Sequence, residues 1–127
     1  MRLKLIETEG PWLAATVQAG DRLLRVMDGF SEVESEAPKV GEYFEADLSA
    51  LLKDGEEWEE MFGGNAEAKK NLEPLEGWSY RAFGEIISID PVEVDCGIMR
   101  ISDVVCSNDP SIVGKFIAFK ISRLDAR

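Results

Sequence analysis

A period of two residues dominates this sequence and predicts a protein built mainly from β-strands. The segment EYFEADLSALL, residues 42–52, shows the period most clearly, because Phe44, Ala46 and Leu48 alternate with polar positions. Successive side chains of a strand point to opposite faces of a sheet, so this strand is expected to be buried on one face only. Its other face is expected to be wet and acidic, and it carries Tyr43, Glu45 and Asp47.

Similar apolar runs occur on both sides of this segment. The runs before residue 30 are RLKLIE, WLAATVQA and RLLRVMD, and those after residue 77 are WSYRAFGEIISID, VEVDCGIMRISD and GKFIAFKISRL. Gly20 and Asp21 separate the second and third runs, and such a two-residue loop predicts a β-hairpin. Apolar residues on both faces of RLLRVMD predict that this strand is covered on both sides. Residues 31–41, with glutamate at every second position from Glu32 to Glu36, predict a solvated connection or a ragged edge strand.

Two glycines inside the later runs predict local features of the strands. Gly84 is expected at a bend or at a close approach of two backbones, because glycine has no side chain to pack. In VEVDCGIMRISD the apolar positions change parity between Cys96 and Met99. A change of parity within one strand is typical of a β-bulge, so a bulge or sharp bend is predicted at Cys96 to Met99.

A helical insertion is predicted at about residues 54–72. In DGEEWEEMFGG, Asp54 is a candidate helix cap with Glu57 three residues later. Trp58, Met61 and Phe62 follow at i, i+3 and i+4, which predicts an apolar stripe packed on the sheet. Gly63 and Gly64 are expected to end this helix, and a second short helix is predicted from 65 to 72.

These elements predict a single, mainly β domain over residues 1–127, a small barrel or sandwich with a short helical insertion. Three strands, a helix and two further strands is the order of an OB-fold, a small Greek-key barrel. The resemblance is one of order and has no residue signature. A generic β-barrel or sandwich therefore remains the broader expectation.

The charge of the chain restricts its partners. The 25 acidic residues outnumber the 14 basic ones, and the formal net charge is -11. Such a charge repels phosphate backbones and anionic membrane surfaces, so neither nucleic acid nor a membrane is expected as a partner. A basic protein partner is compatible with it, because opposite fields steer association. Solubility alone is the simpler explanation of an acidic composition.

Several classes of chemistry lack the residues that they need. The chain has no histidine, so a Ser-His-Asp or Cys-His nucleophile cannot be assembled, and the most common zinc ligand is missing. Cys96 and Cys106 are expected to be a core residue and a loop residue, both reduced, in a cytoplasmic protein without a metal or cofactor. The remaining acid–base candidates are Asp90, Glu93 and Asp95, for which a solvated strand face is the better explanation.

The sequence therefore favours a non-enzymatic binding protein that acts through protein–protein contacts, such as an inhibitor or immunity-type protein. The expected binding residues are an aromatic within an acidic rim. They are Glu56, Glu57, Trp58, Glu59 and Glu60, with Tyr43, Glu45 and Asp47 as a second patch. The alternative is a small-ligand-binding β-barrel. A carboxylate-only enzyme is the third hypothesis. The pattern does not show whether Trp58 is a core residue or an exposed one.

Overall fold

The computed structural model describes residues 1–53 and 55–127, and the described chain is mainly β. Five strands precede one short α-helix and five follow it. The strands are β1 Arg2–Thr8, β2 Ala14–Ala19, β3 Arg22–Asp28, β4 Tyr43–Glu45, β5 Leu48–Leu52, β6 Asn71–Pro74, β7 Tyr80–Ser88, β8 Glu93–Asp95, β9 Arg100–Ser102 and β10 Phe116–Ala126. The helix is α1 Trp58–Gly63, and two 3-10 turns occupy Glu34–Glu36 and Pro110–Ile112.

Contacts group the chain into two compact units. The first unit contains Met1–Leu51 and Arg123–Arg127. In it, β4, β1, β2 and β3 form an antiparallel sheet, and the end of β10 pairs in parallel with β3. The buried core of this sheet includes Leu3, Leu5, Val17, Leu24 and Val26. The prediction of one domain stays a prediction.

The hairpin predicted at Gly20 is confirmed. Ala19 pairs with Arg22 across the β2–β3 ladder, and Gly20 has the positive φ of 62° that such a turn requires. Coverage of both faces of β3 is confirmed only at the end of the strand, where Val26 and Met27 are both buried. It is wrong at the start, where the apolar Leu23 side chain is 60% exposed while Leu24 is buried.

The segment 42–52 forms two strands, where the alternation predicts one. β4 pairs with β1, whereas β5 pairs with β10. The change of partner occurs at Asp47, whose backbone N–H donates to the Arg127 carbonyl at 2.8 Å and whose carbonyl accepts the Arg127 N–H at 3.1 Å. The alternation of faces persists near the break, with Ala46 buried and its neighbours Glu45 and Asp47 exposed.

The second unit contains Leu52–Ser122, and β7 is its central strand. β7 pairs in antiparallel fashion with β10, β6 and β8, and β8 pairs with β9. The fully buried side chains of this unit include Leu72, Ile86, Val94, Ile117 and Phe119.

Gly84 marks a close approach of two backbones, as its sequence position predicts. A Cβ at this position would lie 2.6 Å from the Asp95 carbonyl oxygen on β8. Of the two features predicted at Cys96 to Met99, the bulge is wrong and the sharp bend is found, because the chain reverses there. Asp95 pairs with Arg100, and the Cys96 N–H donates to the Met99 carbonyl at 2.9 Å. The change of parity thus separates two strands of a hairpin.

The helical insertion is shorter than predicted. α1 begins at Trp58, with Glu57 in the N-cap position and no side-chain capping bond, and the predicted cap Asp54 lies outside the described residues. The second helix predicted from 65 to 72 is wrong. The buried Asn65 side chain donates to the carbonyls of Lys69 and Ile117 at 2.9 and 3.1 Å. Its Oδ1 accepts the Lys69 N–H at 2.8 Å, which holds a turn before β6.

The order of three strands, a helix and two strands is not the observed order, because five strands lie on each side of α1. An OB-like barrel stays a prediction. Neither α1 nor any other helix in residues 1–53 and 55–127 has the length and apolar character needed to span a bilayer.

Candidate functional site

The side chains of the apolar stripe of α1 differ in burial. Met61 is buried, at 5% exposure, and Phe62 is half-buried. Trp58, one turn before Phe62, is 44% exposed. Its ring stacks on the Phe62 ring with centroids 4.6 Å apart and an interplanar angle of 24°. The helix therefore anchors itself through Met61 and presents a large aromatic surface to solvent.

Three exposed acids lie beside Trp58. Glu57 is at the N-cap position, and Glu59 and Glu60 are in the first turn, where the positive end of the helix dipole favours negative side chains. Within the described part of the chain, none of the three forms an ion pair. Their negative charge is therefore directed to solvent.

Glu56 differs from these acids because it is bound within the protein. It is half-buried, and its two carboxylate oxygens accept the Lys120 backbone N–H at 3.1 and 3.0 Å. The Lys120 carbonyl accepts the Lys53 N–H at 3.3 Å. Glu56 and Lys53 thus satisfy both polar backbone groups of one residue of β10, and Glu56 fixes the segment that leads into α1.

A cleft of about 240 Å³ opens next to Trp58. Its apolar lining comes from Leu52, Trp58, Met61, Val104, Val105 and Phe119. Its charged lining consists of two cations and two anions, Lys53, Lys120, Glu56 and Asp103. Of the cleft residues, only Glu56 and Trp58 are among the binding residues predicted from the sequence. The valines follow β9 in an irregular segment, for which no periodicity indicates a site.

A second, more polar cleft of about 270 Å³ adjoins the first. It shares Glu56 and Met61 with the first cleft and adds Glu60 and Arg81. The two clefts therefore lie on either side of the Glu56 segment. Together they form a recess with an apolar part next to Trp58 and a charged part next to Glu60.

The second predicted patch lies in the first unit and is not purely acidic. Tyr43 is 58% exposed, and the Arg2 guanidinium carbon lies 4.4 Å from its ring centroid, with Lys4 Nζ at 5.7 Å. Glu45 lies 3.4 Å from the amino terminus, and Asp47 is exposed. These cations offset the acids around Tyr43, so α1 carries the stronger acidic field.

The carboxylates considered for acid–base chemistry do not form an activated pair. The Gly97 N–H, at 2.9 Å, and Lys70 Nζ, at 3.2 Å, hold the pKa of Asp95 below its usual range. Glu93 accepts a hydrogen bond from the Ser102 hydroxyl at 3.4 Å, and Asp90 is exposed. An ionised Asp95 with two donors is a structural group, because a general acid requires a raised pKa.

The cysteines occupy the predicted environments. Cys96 is buried and Cys106 is exposed, and both are free. Burial raises the pKa of the Cys96 thiol to about 12. Cys96 is therefore an inert core residue.

No sequence pattern indicates that the Asp28 carboxylate, at the end of β3, is fully buried. Its Oδ1 accepts the N–H groups of Phe30 and Ser31 at 3.1 and 2.9 Å. Its Oδ2 accepts the hydroxyls of Thr8 and Ser31, the latter at 2.7 Å. Four donors satisfy this carboxylate, so it joins β1 to the turn after β3 and is not directed toward a ligand.

Comparison of the chain with protein-family models, curated proteins and solved structures gave no match. Across residues 1–53 and 55–127, no group of three or more cysteine and carboxylate side chains is arranged to hold a metal ion. The exposed Trp58 and the exposed acids beside it are therefore the features of the described chain that bear on function.

Proposed function

We propose that this chain is a non-enzymatic binding protein that contacts a basic protein partner through α1, in the manner of an inhibitor or immunity-type protein. The observation that carries the proposal is the exposure of Trp58 beside three exposed acids that have no cationic partner among the described residues. Aromatic residues at the centre of a charged rim are typical of binding hot spots. A cytoplasmic location, where thiols stay reduced, is part of the proposal.

Folding accounts for Glu56 of the predicted patch and for Met61 of the predicted apolar stripe. Glu56 accepts a backbone N–H of β10, and Met61 fills the core. Glu57, Glu59 and Glu60 make no such side-chain contacts in the described structure, and Trp58, which stacks on Phe62, is 44% exposed. Because exposed aromatic surface is unfavourable in water, these side chains are the best candidates for a contact made outside the chain.

The alternative function, small-ligand binding, has two clefts in its favour. One, of about 410 Å³, is an open cleft lined by Arg2, Gln18, Gly20 and Tyr43, and the other is the cleft beside Trp58. Its volume of about 240 Å³ is smaller than the roughly 300–1,000 Å³ of most ligand pockets. The cleft is also open and partly charged, whereas ligand pockets are mostly apolar. Protein binding is therefore the better-supported proposal.

The test is an affinity capture from the source organism at low and high salt, with the wild-type chain and two variants as baits. Trp58→Ala removes the proposed anchor, and Trp12→Ala is the matched control, because Trp12 is similarly exposed, at 46%. We expect Trp12→Ala to retain the partner and Trp58→Ala to weaken its affinity by about 2 kcal/mol or more. Equal retention by both variants would contradict the proposal.

The charge of the rim has a separate test on the captured partner. Glu59→Lys combined with Glu60→Lys reverses two exposed charges that have no structural contact in the described chain. Rim charges act mainly through diffusional encounter, so we expect slower association and a weaker dependence on salt. Surface plasmon resonance at several salt concentrations measures both effects.

A further inference from the structure

We infer that the cleft beside Trp58 receives one uncharged apolar side chain of a partner segment, with lysine or arginine residues next to it that face the acids of α1. This inference rests on the proposed function and specifies the partner's chemistry. It predicts a short recognition element, an apolar anchor flanked by basic residues.

The interior of the cleft suits an apolar side chain. Phe119 and Met61 are nearly buried and contribute to its lining, and Trp58, Val104 and Val105 are more exposed lining residues. An apolar group that enters the cleft removes these surfaces from water, with a gain of roughly 25 cal/mol per Å² of apolar area. The volume of about 240 Å³ is on the scale of one side chain.

The charges inside the cleft also exclude a charged anchor. Lys53 and Lys120 are balanced by Glu56 and Asp103, so the formal charges of the lining cancel. Glu56 is already engaged by the Lys120 N–H. A buried lysine or glutamate of the partner would lose its hydration and would meet charges of both signs in the lining, which is costly.

The charges outside the cleft favour basic flanking residues. Glu57, Glu59 and Glu60 are exposed on α1, adjacent to the cleft residue Trp58. Three cations, Lys53, Lys120 and Arg81, line the clefts and are not on the helix. A segment that places its anchor in the cleft therefore meets a net negative surface over α1.

The experiment uses fluorescein-labelled pentapeptides in which two lysines and two arginines flank one central residue. The central residue is leucine, alanine or aspartate, and fluorescence anisotropy at about 20 mM salt gives the dissociation constants, where surface charges are weakly screened. We expect the leucine peptide to bind the wild-type chain at least about tenfold more tightly than the alanine peptide, and the aspartate peptide to bind most weakly.

Two variants locate the site. Val105→Phe fills the cleft and is expected to abolish the preference for leucine over alanine. Val113→Phe is the matched control, because Val113 is an exposed valine outside the cleft, and it is expected to keep the preference. Circular dichroism and the melting temperature verify that both variants fold.

The outcomes separate the inference from the proposed function. Equal affinities for the leucine and alanine peptides, with binding that is lost in the Glu59→Lys, Glu60→Lys variant, overturn the apolar anchor and leave the acidic surface in place. A leucine preference that survives Val105→Phe also overturns the inference. Binding that the Glu59→Lys, Glu60→Lys variant leaves unchanged contradicts both the inference and the acidic surface.

Discussion

At the scale of single residues, two members of one helical stripe have different roles. Trp58→Ala is expected to lower the free energy of unfolding by less than the about 3–5 kcal/mol typical of a buried aromatic, because the Trp58 side chain is 44% exposed and its ring stacks on Phe62. Met61→Ala is expected to cost about 2–5 kcal/mol, because Met61 is buried. Urea unfolding of the two variants measures the difference. A loss at Trp58 as large as that at Met61 would make Trp58 a structural residue.

The buried carboxylate of Asp28 permits a second prediction. Asp28→Ala leaves two backbone N–H groups and two hydroxyls without their acceptor, and each buried unpaired group costs about 1–3 kcal/mol. We expect a total loss of about 3 kcal/mol or more. Asp28→Asn keeps one acceptor oxygen and is expected to lose less. A loss under about 1 kcal/mol for Asp28→Ala in urea unfolding would show that the network is dispensable.

The Cys96 thiol gives stability a defined dependence on pH. Burial raises its pKa from 9.0 to about 12. Above pH 9 the unfolded chain releases this proton while the folded chain keeps it, so the stability contributed by the neutral thiol is lost as pH rises. The slope is at most about 1.4 kcal/mol per pH unit.

Two variants isolate this slope from the other groups that titrate in alkali. Cys96→Ala removes the buried thiol, and its free energy of unfolding is expected to fall less steeply between pH 9 and 12. Cys106→Ser changes the exposed cysteine and is expected to keep the wild-type slope. Identical slopes for the wild type and Cys96→Ala would contradict the pKa assigned to the folded thiol.

Sequence periodicity predicts which residues share a face, and it does not predict how far the covering layer extends. The stripe of Trp58, Met61 and Phe62 was recognised, but only the burial of Met61 follows the expectation fully. Leu23 is apolar and exposed for the same reason. Asp28 had no signal at all, because a buried acid and an exposed one at a strand end look alike until the donors around them are known.

At the scale of elements, β7 and β8 approach so closely at Gly84 that adding one methyl group there is expected to lower the stability of the protein. A Cβ on Gly84 would lie 2.6 Å from a backbone oxygen of β8, which cannot move without disturbing the ladder. Gly84→Ala is expected to cost about 1–3 kcal/mol or more, as overpacking does. Gly63→Ala is the control, because no atom lies within 4 Å of its added Cβ.

Thermal unfolding of the two glycine variants compares them directly. Gly63 lies in α1, where alanine is preferred to glycine by up to about 1 kcal/mol, so its variant is expected to be neutral or more stable. A Gly84→Ala protein that melts with the wild type would show that the strands separate without penalty.

Turns with a local cause were the predictable elements. The two-residue turn at Gly20 depends on the positive φ of Gly20 itself, so the local sequence is enough to predict the hairpin. The reversal at residues 96–99 is longer, and its change of parity is equally typical of a bulge. The break at Asp47 and the turn at Asn65 depend on hydrogen bonds to residues far along the chain, Arg127 and Ile117, which no local pattern shows.

At the scale of the whole molecule, the composition determines the net charge, whereas it does not indicate which strands pair. The mainly β class follows from the period of two residues. The parallel pairing of β10 with β3 does not, because it joins residues such as Met27 and Asp125 that are distant in sequence. The net charge of -11 is independent of topology, and it acts on stability through the mutual repulsion of acids in the compact state.

Repulsion among the acids and attraction within the ion pairs give opposite predictions for the effect of added salt on the melting temperature. The relative magnitudes of the two decide which prediction holds. Among the described residues, the ion pairs of Lys69 with Glu67 and Glu73 are exposed, whereas those of Lys70 and Arg123 have a less exposed carboxylate. Exposed pairs contribute about 0–1 kcal/mol each. The excess of acids, 25 against 14 bases, exceeds what these pairs neutralise. Screening should therefore relieve more repulsion than it removes attraction, and the melting temperature is expected to rise between roughly 10 mM and 500 mM sodium chloride.

The charge-reversed variant provides the control for this prediction. Glu59→Lys combined with Glu60→Lys lowers the excess of negative charge at positions that make no structural contact in the described chain. Its gain in melting temperature from added salt is expected to be smaller than that of the wild type, because less repulsion remains to be screened. Differential scanning calorimetry at both salt concentrations measures the gain. A wild-type melting temperature that falls with salt would mean that the few ion pairs outweigh the net charge, and the acids of α1 would then need a structural explanation.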